Sequence, residues 1–550
     1  MATTEVALHS VPGRVSARPT ARSGALYCAG LTTLALAVHG YHPYVEDGGL
    51  YLAGIKRLLN PRLYPYWTGF VTTHLKFSLF APMVAGAVHL SHLSLMMVML
   101  VLYIGSMWLT LFSGWLLTCR CALTRNQCMG AVTLLALMLT IPVAGTSLML
   151  MDPYVTARSL STPCGMLMLV GALDALIAWS ENNQVAWKAM ALLAGSFAFA
   201  AVMHPLMAAY SLSFVLLLVC LWIPDKRARM AATLGLSLLG VAVAGCMEWL
   251  GPANTAAYSL VARTRNYWFL SQWQWYEVLG LVGPLAILAA IARANGMRRE
   301  NPAARRLAAM AAIVGLASIL AALLFARVDE RSYEFARLQP LRTYQTIYLL
   351  MLLALGAFLS DRVLKKSLMR WGSLVVLAGS GMALVQKQTF PASGHIEWPG
   401  HAAQNPWEQA FDWIRTNTPK NSAFALDANY IRAADEDSQN FKAIAERSAV
   451  PDDAKDGGIA SIAPALTEQW IQGRAAQLGL DSGVSMADVT RLRALSVTWI
   501  VVRRETTTAF SCSYENGAVK VCPLPQLGSL PGYGREPDSP AARPVAPRPR

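Results

Sequence analysis

Glu46 and Asp47 stand side by side in YHPYVEDGGLYLAGIKRLLNPRLYP (41–65), where the first long apolar run of the chain ends. A carboxylate pair at the exit of an apolar helix is equipped for proton transfer or for pairing with a cation. Gly48 and Gly49 follow, and glycine lets backbone approach a ligand closely. Asp152 closes another apolar run, in LMLMDPYVTARSL, with Arg158 farther along the same segment. Arg337 and Arg342 lie in RVDERSYEFARLQPLRTYQT. The planar, forked donors of arginine suit phosphate. His204 joins two apolar runs at His204-Pro205, and Trp268 belongs to the aromatic stretch ARTRNYWFLSQWQWYE. Each of these residues also has a plainer reading. Loop acids are solvated, an Asp before Pro ends a helix, arginines bridge helices, and aromatics anchor at interfaces.

The elements that position these residues are apolar. The chain of 550 residues is 55% hydrophobic and only 14% charged, against about 25% charged in ordinary soluble domains. A bilayer core needs about 20 apolar residues per helix. Runs of that kind fall near 24–41, 94–118, 129–150, 161–179, 187–202, 205–223, 231–250, 275–292, 307–326, 343–359 and 371–386, which predicts about eleven transmembrane helices. The formal net charge of +14 does not indicate nucleic acid, because many Lys and Arg sit in short loops where they set topology. Their distribution puts the N-terminal tail (1–23) in the cytoplasm and the C-terminal region outside. The first run is read as a retained helix rather than a cleaved signal, since further apolar spans follow it.

The multi-pass domain spans 24–386, with a long outside loop at 42–93. There Tyr51, Leu52, Ile55, Leu58 and Leu59 share one helical arc opposite Lys56, Arg57 and Asn60, which predicts a helix lying on the membrane surface. Phe77 to Leu90 reads as a second interfacial or re-entrant helix, with a true span as the alternative. Residues 387–527 change character and read as a small α/β domain, with helices in NPWEQAFDWIRTN, SQNFKAIAER and PALTEQWIQGRAAQLG and a buried strand in VTWIVVRRE. The Pro/Arg-rich tail 528–550 reads as disordered. Cys512 and Cys522 flank a predicted hairpin turning at Asn516-Gly517, an arrangement for a structural disulfide if the turn is longer than two residues. The other seven cysteines read as small apolar filler. Asp427, Asp435, Glu436, Asp437 and the Glu446-Arg447 pair are candidates for shaping an acceptor site, with solvated surface of the small domain as their plainer reading.

A long first outside loop, an acid just after the first span, interfacial helices in that loop, many further spans and an outside C-terminal domain resemble the GT-C superfamily of lipid-linked glycosyltransferases. The resemblance implies a transferase using a sugar on a polyprenyl-phosphate carrier. Asp47 would be its base, with Glu46 in support, and Arg337 or Arg342 would hold the carrier phosphate. In the metal-dependent oligosaccharyltransferase branch a second-loop acid helps bind a divalent metal. Asp152 stands in the comparable place but lacks that branch's Asp-x-Asp pair, so metal use stays open. The segments EDGGLYLAGIKRLLNPRLYP, QPLRTYQ and NPWEQAFDWIRTNTPKNSAFALD through FKAIAERSAVPDDAKD resemble a family of bacterial multi-pass membrane proteins, which implies a bacterial inner membrane and a periplasmic C-terminal domain.

Two other functions compete. A transporter or flippase places ionisable groups at mid-membrane, and here only Asp174 stands well inside a predicted span. A non-catalytic scaffold for the C-terminal domain predicts that single carboxylate changes do nothing beyond expression.

Overall fold

The computed structural model describes residues 20–122, 124–294, 302–432 and 437–526. Most of the predicted N-terminal tail, the Pro/Arg-rich tail, Asp435 and Glu436 lie outside the described residues. Among the described residues, nine helices are long and apolar enough to cross a membrane. They run Ala21–His39, Leu95–Cys121, Ala157–Asn182, Pro205–Trp222, Lys226–Leu250, Trp275–Arg293, Pro302–Phe325, Glu334–Leu364 and Leu368–Thr389. Polar caps mark several starts. Ser94 accepts from the Met97 N–H, and Asp225 accepts from the Ala228 N–H.

Two of the eleven expected spans are shorter. Trp187–Met203 has 17 residues and stops at His204, where Pro205 opens the next helix. The expected 129–150 run is corrected. Its helix is Arg125–Leu137, and the chain then turns through a small hairpin of strands β1 (Pro142–Val143) and β2 (Leu148–Met149). Pro142 withholds a donor there, and Gly145 takes φ +59 with its α-carbon against the Trp273 ring, a place with no room for a side chain.

The 42–93 loop folds as two helical units. Glu46–Leu59 is a 14-residue amphipathic helix. Thr68–Phe77 and Phe80–Ser91 follow, bent by 94° at their junction, which is the geometry of a broken span or re-entrant loop.

The C-terminal region is an α/β domain. Its sheet has the order β4-β3-β5-β7-β6, with β3 (Ala423–Ala425) parallel to β4 (Ser448–Ala449) and to β5 (Trp499–Arg503). β7 (Val519–Pro523) runs antiparallel to β5 and to β6 (Tyr514–Glu515). Glu515 stands opposite Lys520, so the chain reverses over 516–519 rather than over Asn516-Gly517 alone. The Cys512 and Cys522 sulfurs are bonded. The region expected as solvated surface is partly internal. Asp427 and Arg447 are buried, and Glu446 pairs with Lys56 at 2.8 Å.

This domain is fastened to the membrane domain. Tyr41, just past the first span, forms a parallel bridge with Ile396. His42 Nδ1 lies 2.8 Å from Glu397 Oε1. Lys56 Nζ donates to the Ala443 carbonyl at 2.7 Å, and the Tyr64 hydroxyl donates to the Lys442 carbonyl at 2.8 Å. Arg265 donates to the Ala454 and Asp453 carbonyls at 2.7 and 2.8 Å.

Candidate functional site

Asp47 lies in the first turn of the Glu46–Leu59 helix, not in the loop before it. Glu46 enters that helix with φ 49, a left-handed backbone that a residue with a side chain adopts only when its surroundings hold it there. The two glycines that follow serve packing rather than ligand approach. A Cβ on Gly48 would fall 2.6 Å from the Pro43 carbonyl oxygen, and one on Gly49 would fall 2.2 Å from the Asn440 Cβ of the C-terminal domain.

The partner that sequence reasoning missed is Lys455. It opens the helix Lys455–Ile462 of the C-terminal domain, and its ammonium lies 3.0 Å from Asp47 Oδ1 while also pairing with Glu46. Nothing near Glu46 or Asp47 in the sequence announces it. The segment that carries Lys455 is fixed from several sides. Asp452 Oδ1 accepts from the Lys455 N–H at 2.6 Å, Arg265 holds the carbonyls before it, and Lys442 pairs with Asp456 behind it. The lysine is therefore presented by anchored backbone.

Behind this contact, Asp152 and Arg158 form a buried ion pair, 4% and 6% exposed. Arg158 sits in the first turn of its span, six residues after Asp152, so the turn between them brings the side chains together. Asp47 interacts electrostatically with Lys455, Arg158 and Arg342, and His204 interacts with Arg158 and Arg342. Asp47, Asp152, Arg158, Arg342 and His204 thus converge, although they come from four separate stretches of chain. Tyr51 joins the same electrostatic group, as does Tyr154. Tyr51 was legible in principle, because it stands one helical turn after Asp47 on the same face.

The charges set the protonation of the acids. Burial works to raise the Asp47 carboxyl, but Lys455, Arg158 and Arg342 outweigh it and hold it at about 2. Burial raises the Asp152 carboxyl, offset only in part by Arg158, and the nearby Asp47 charge adds to the rise. Lys455 loses hydration by burial, yet Asp47 and Glu46 overcome that and raise it above the ordinary lysine range.

Arg342 differs from its neighbours. Its Nε is out of solvent with no hydrogen-bond partner, and no carboxylate among the described residues is within ion-pair reach of it. Its guanidinium lies over the Tyr267 ring at 5.9 Å. Arg337 is committed elsewhere. It pairs with Glu334 and donates to the Ile462 carbonyl at 3.2 Å. Trp268 is 1% exposed and packs in the core beside Phe269, while Trp275 and Tyr276 of the same stretch are open at 74% and 59%. Asp174 forms a two-pronged ion pair with Arg120 at 2.9 and 2.6 Å, which gives it a structural partner.

Among the described residues no group of three or more His, Cys, Asp or Glu is arranged to hold a metal ion, and Asp47 and Asp152 each face a cationic side chain.

No family model matches the chain, and no curated protein matches it. Among solved structures, the chain is similar to the archaeal oligosaccharyltransferase AglB from Archaeoglobus fulgidus, a structure in complex with an inhibitory peptide and a dolichol-phosphate. The identity is 12%, the TM-score 0.47, and the similarity covers 87% of this chain and 69% of that one.

Proposed function

We propose that this protein is a membrane glycosyltransferase that moves a sugar from a polyprenyl-phosphate carrier to an acceptor, at the membrane face that carries the C-terminal domain. One observation carries the reading: Arg342 has an unpartnered Nε and no carboxylate within ion-pair distance among the described residues, while the acid in its electrostatic reach, Asp47, is held by Lys455. A phosphate diester at Arg342 would supply the missing negative charge and accept from the orphaned Nε–H. The resemblance of the loop and span layout to lipid-linked glycosyltransferases points the same way.

In this mechanism Asp47 accepts a hydrogen bond from the acceptor hydroxyl. The side chain is 40% exposed, and only its Oδ1 is taken by Lys455, so the carboxylate has room for that contact. The acceptor oxygen attacks the anomeric carbon as the bond to the phosphate oxygen breaks. The hydroxyl proton grows acidic as the new bond forms, so a weak base suffices to take it. The phosphate departs as an anion, and Arg342, backed by the Arg158 charge, stabilises the departing oxygen without a general acid. Charge attraction is strengthened where water is scarce, and the buried Asp152–Arg158 pair forms a dry floor for the site. A bacterial inner membrane with the C-terminal domain on the periplasmic side is the setting this reading requires.

The deciding experiment is transfer from a radiolabelled polyprenyl-phosphate sugar by purified wild type and Asp47→Asn. A loss of about 10²-fold or more in Asp47→Asn supports the assignment. Full transfer in that variant removes Asp47 from the chemistry, and no carrier turnover by wild type with any sugar removes the transferase reading.

A further inference from the structure

The far end of the membrane domain from the acid site holds a cavity of about 270 Å³. It lies where the helices Leu95–Cys121, Trp275–Ala294 and Tyr344–Leu359 end and Pro302–Phe325 begins. Leu288, Ile291, Leu307, Leu350, Leu353 and Phe358 make most of its walls, Thr118 and Gln127 add two polar side chains, and the exposed Asp361 and Arg362 mark its mouth. Water in such a space would find few hydrogen-bond partners along walls of this kind. A hydrocarbon chain meets no such cost there.

Cations outnumber acids near the mouth. Arg362 is 57% exposed and only loosely paired with Asp361, at 3.8 Å. Lys365 and Lys366 follow in the same turn, and Arg293 ends the neighbouring helix; all three are exposed. The chain next to the cavity therefore carries more exposed cationic than anionic side chains, which suits an anionic lipid headgroup.

We propose that this cavity takes one hydrocarbon chain of an anionic bilayer lipid, in the leaflet that faces away from the C-terminal domain. The site is separate from the one around Asp47. Leu350, its nearest lining residue to Arg342 on that helix, is about 12 Å farther along the helix axis. Tyr344 and Ile347 fill the space between and are fully buried. The proposal stands whether or not the transferase reading does.

The test uses the full chain reconstituted in mixed phosphatidylcholine and phosphatidylglycerol vesicles, extracted in detergent and weighed by native mass spectrometry. Wild type is expected to retain phosphatidylglycerol in preference to phosphatidylcholine. Ala354→Trp fills the cavity and should cut that retention by about tenfold or more. Ala308→Leu fills less of it and should cut retention less. Arg362→Gln with Lys365→Gln and Lys366→Gln should erase the headgroup preference while leaving a bound lipid. If both filling variants fold and retain phosphatidylglycerol as wild type does, the proposal is wrong. Displacement of the retained lipid by polyprenyl phosphate would also overturn it, by making the cavity part of the carrier site. If neither filling variant folds, a phosphatidylglycerol with a photoreactive chain settles the matter on wild type. Labelling of peptides around Leu307 and Leu353 supports the site, and labelling only elsewhere refutes it. Arg342→Ala serves as the control that leaves this lipid unchanged.

Discussion

Lys455 Nζ and Asp47 Oδ1 are 3.0 Å apart in space and 408 residues apart in sequence. The acid that the membrane domain offers is thus completed by the C-terminal domain, and the two domains share one electrostatic site. Removing the lysine should change the acid without removing it. In Lys455→Met the Asp47 carboxyl loses its nearest cation, and the acid limb of the pH–activity profile should move upward by about 1 to 3 units. A profile with an unmoved acid limb would show that Lys455 does not set the state of Asp47.

The two arginines of the QPLRTYQ region should separate cleanly. Arg342→Ala is expected to weaken binding of polyprenyl phosphate by about 10- to 150-fold, the range for losing a hydrogen bond to a charged group. Arg337→Ala should weaken it less than about twofold, since that guanidinium is held by Glu334 and the Ile462 carbonyl. Native mass spectrometry with added lipid reads both, and equal losses would contradict the division of roles.

Asp152 and Arg158 make a stability prediction that does not depend on any substrate. Asp152→Ala leaves a buried guanidinium without its counter-charge, at a cost of about 3–5 kcal/mol. The double variant Asp152→Ala with Arg158→Met should recover a large part of that loss. Thermal unfolding in detergent measures the three proteins side by side, and a mild Asp152→Ala phenotype would mean that the pair is not dry.

The Asp47–Lys455 contact also has a pH signature. The folded Asp47 carboxyl is held at about 2, below its ordinary value, so its contribution to docking is present above about pH 4 and is lost as pH falls through that value toward 2. Lys455 is raised in the folded protein, so its side of the contact persists through the ordinary lysine range and fails only above it. The protection of the Lys455–Ile462 amides against hydrogen exchange, corrected for the intrinsic pH dependence of exchange, should therefore fall at the acid end before it falls at mildly alkaline pH.

Gly49 fixes how closely the domains approach. Gly49→Ala drives a Cβ to 2.2 Å from Asn440 and should destabilise the protein by about 1–3 kcal/mol. Gly30→Ala, where nothing lies within 4 Å, should be neutral or stabilising by up to about 1 kcal/mol in the same melt.

What could be read from the sequence follows physical range. Apolar windows report a local property, so the membrane helices were legible, and the run at 129–150 misled because Pro142 and Gly145 break it without lowering its hydropathy. Glu46, Asp47, Asp152 and Arg158 were legible as charges at helix ends. Their company was not. Lys455 sits among PDDAKD, where a lysine reads as helix surface, and only the docking of the domains gives it Asp47. Arg337 and Arg342 look alike in sequence, and what distinguishes them is Glu334, which claims the first. Trp268 offers an aromatic ring in the sequence, but burial turns that ring toward the core, whereas Trp275 and Tyr276 of the same stretch face outward.

The Tyr41–Ile396 bridge ties the exit of the first span to the entry of the last domain. Synthesis runs in one direction, at roughly 5–20 residues per second. Asp47 therefore leaves the ribosome roughly 20–80 s before Lys455 does at those rates. During that interval the acid pair has no lysine to hold its charge. Completion of the site is a timed event, and a polypeptide stopped before residue 455 carries the acids but never the finished constellation.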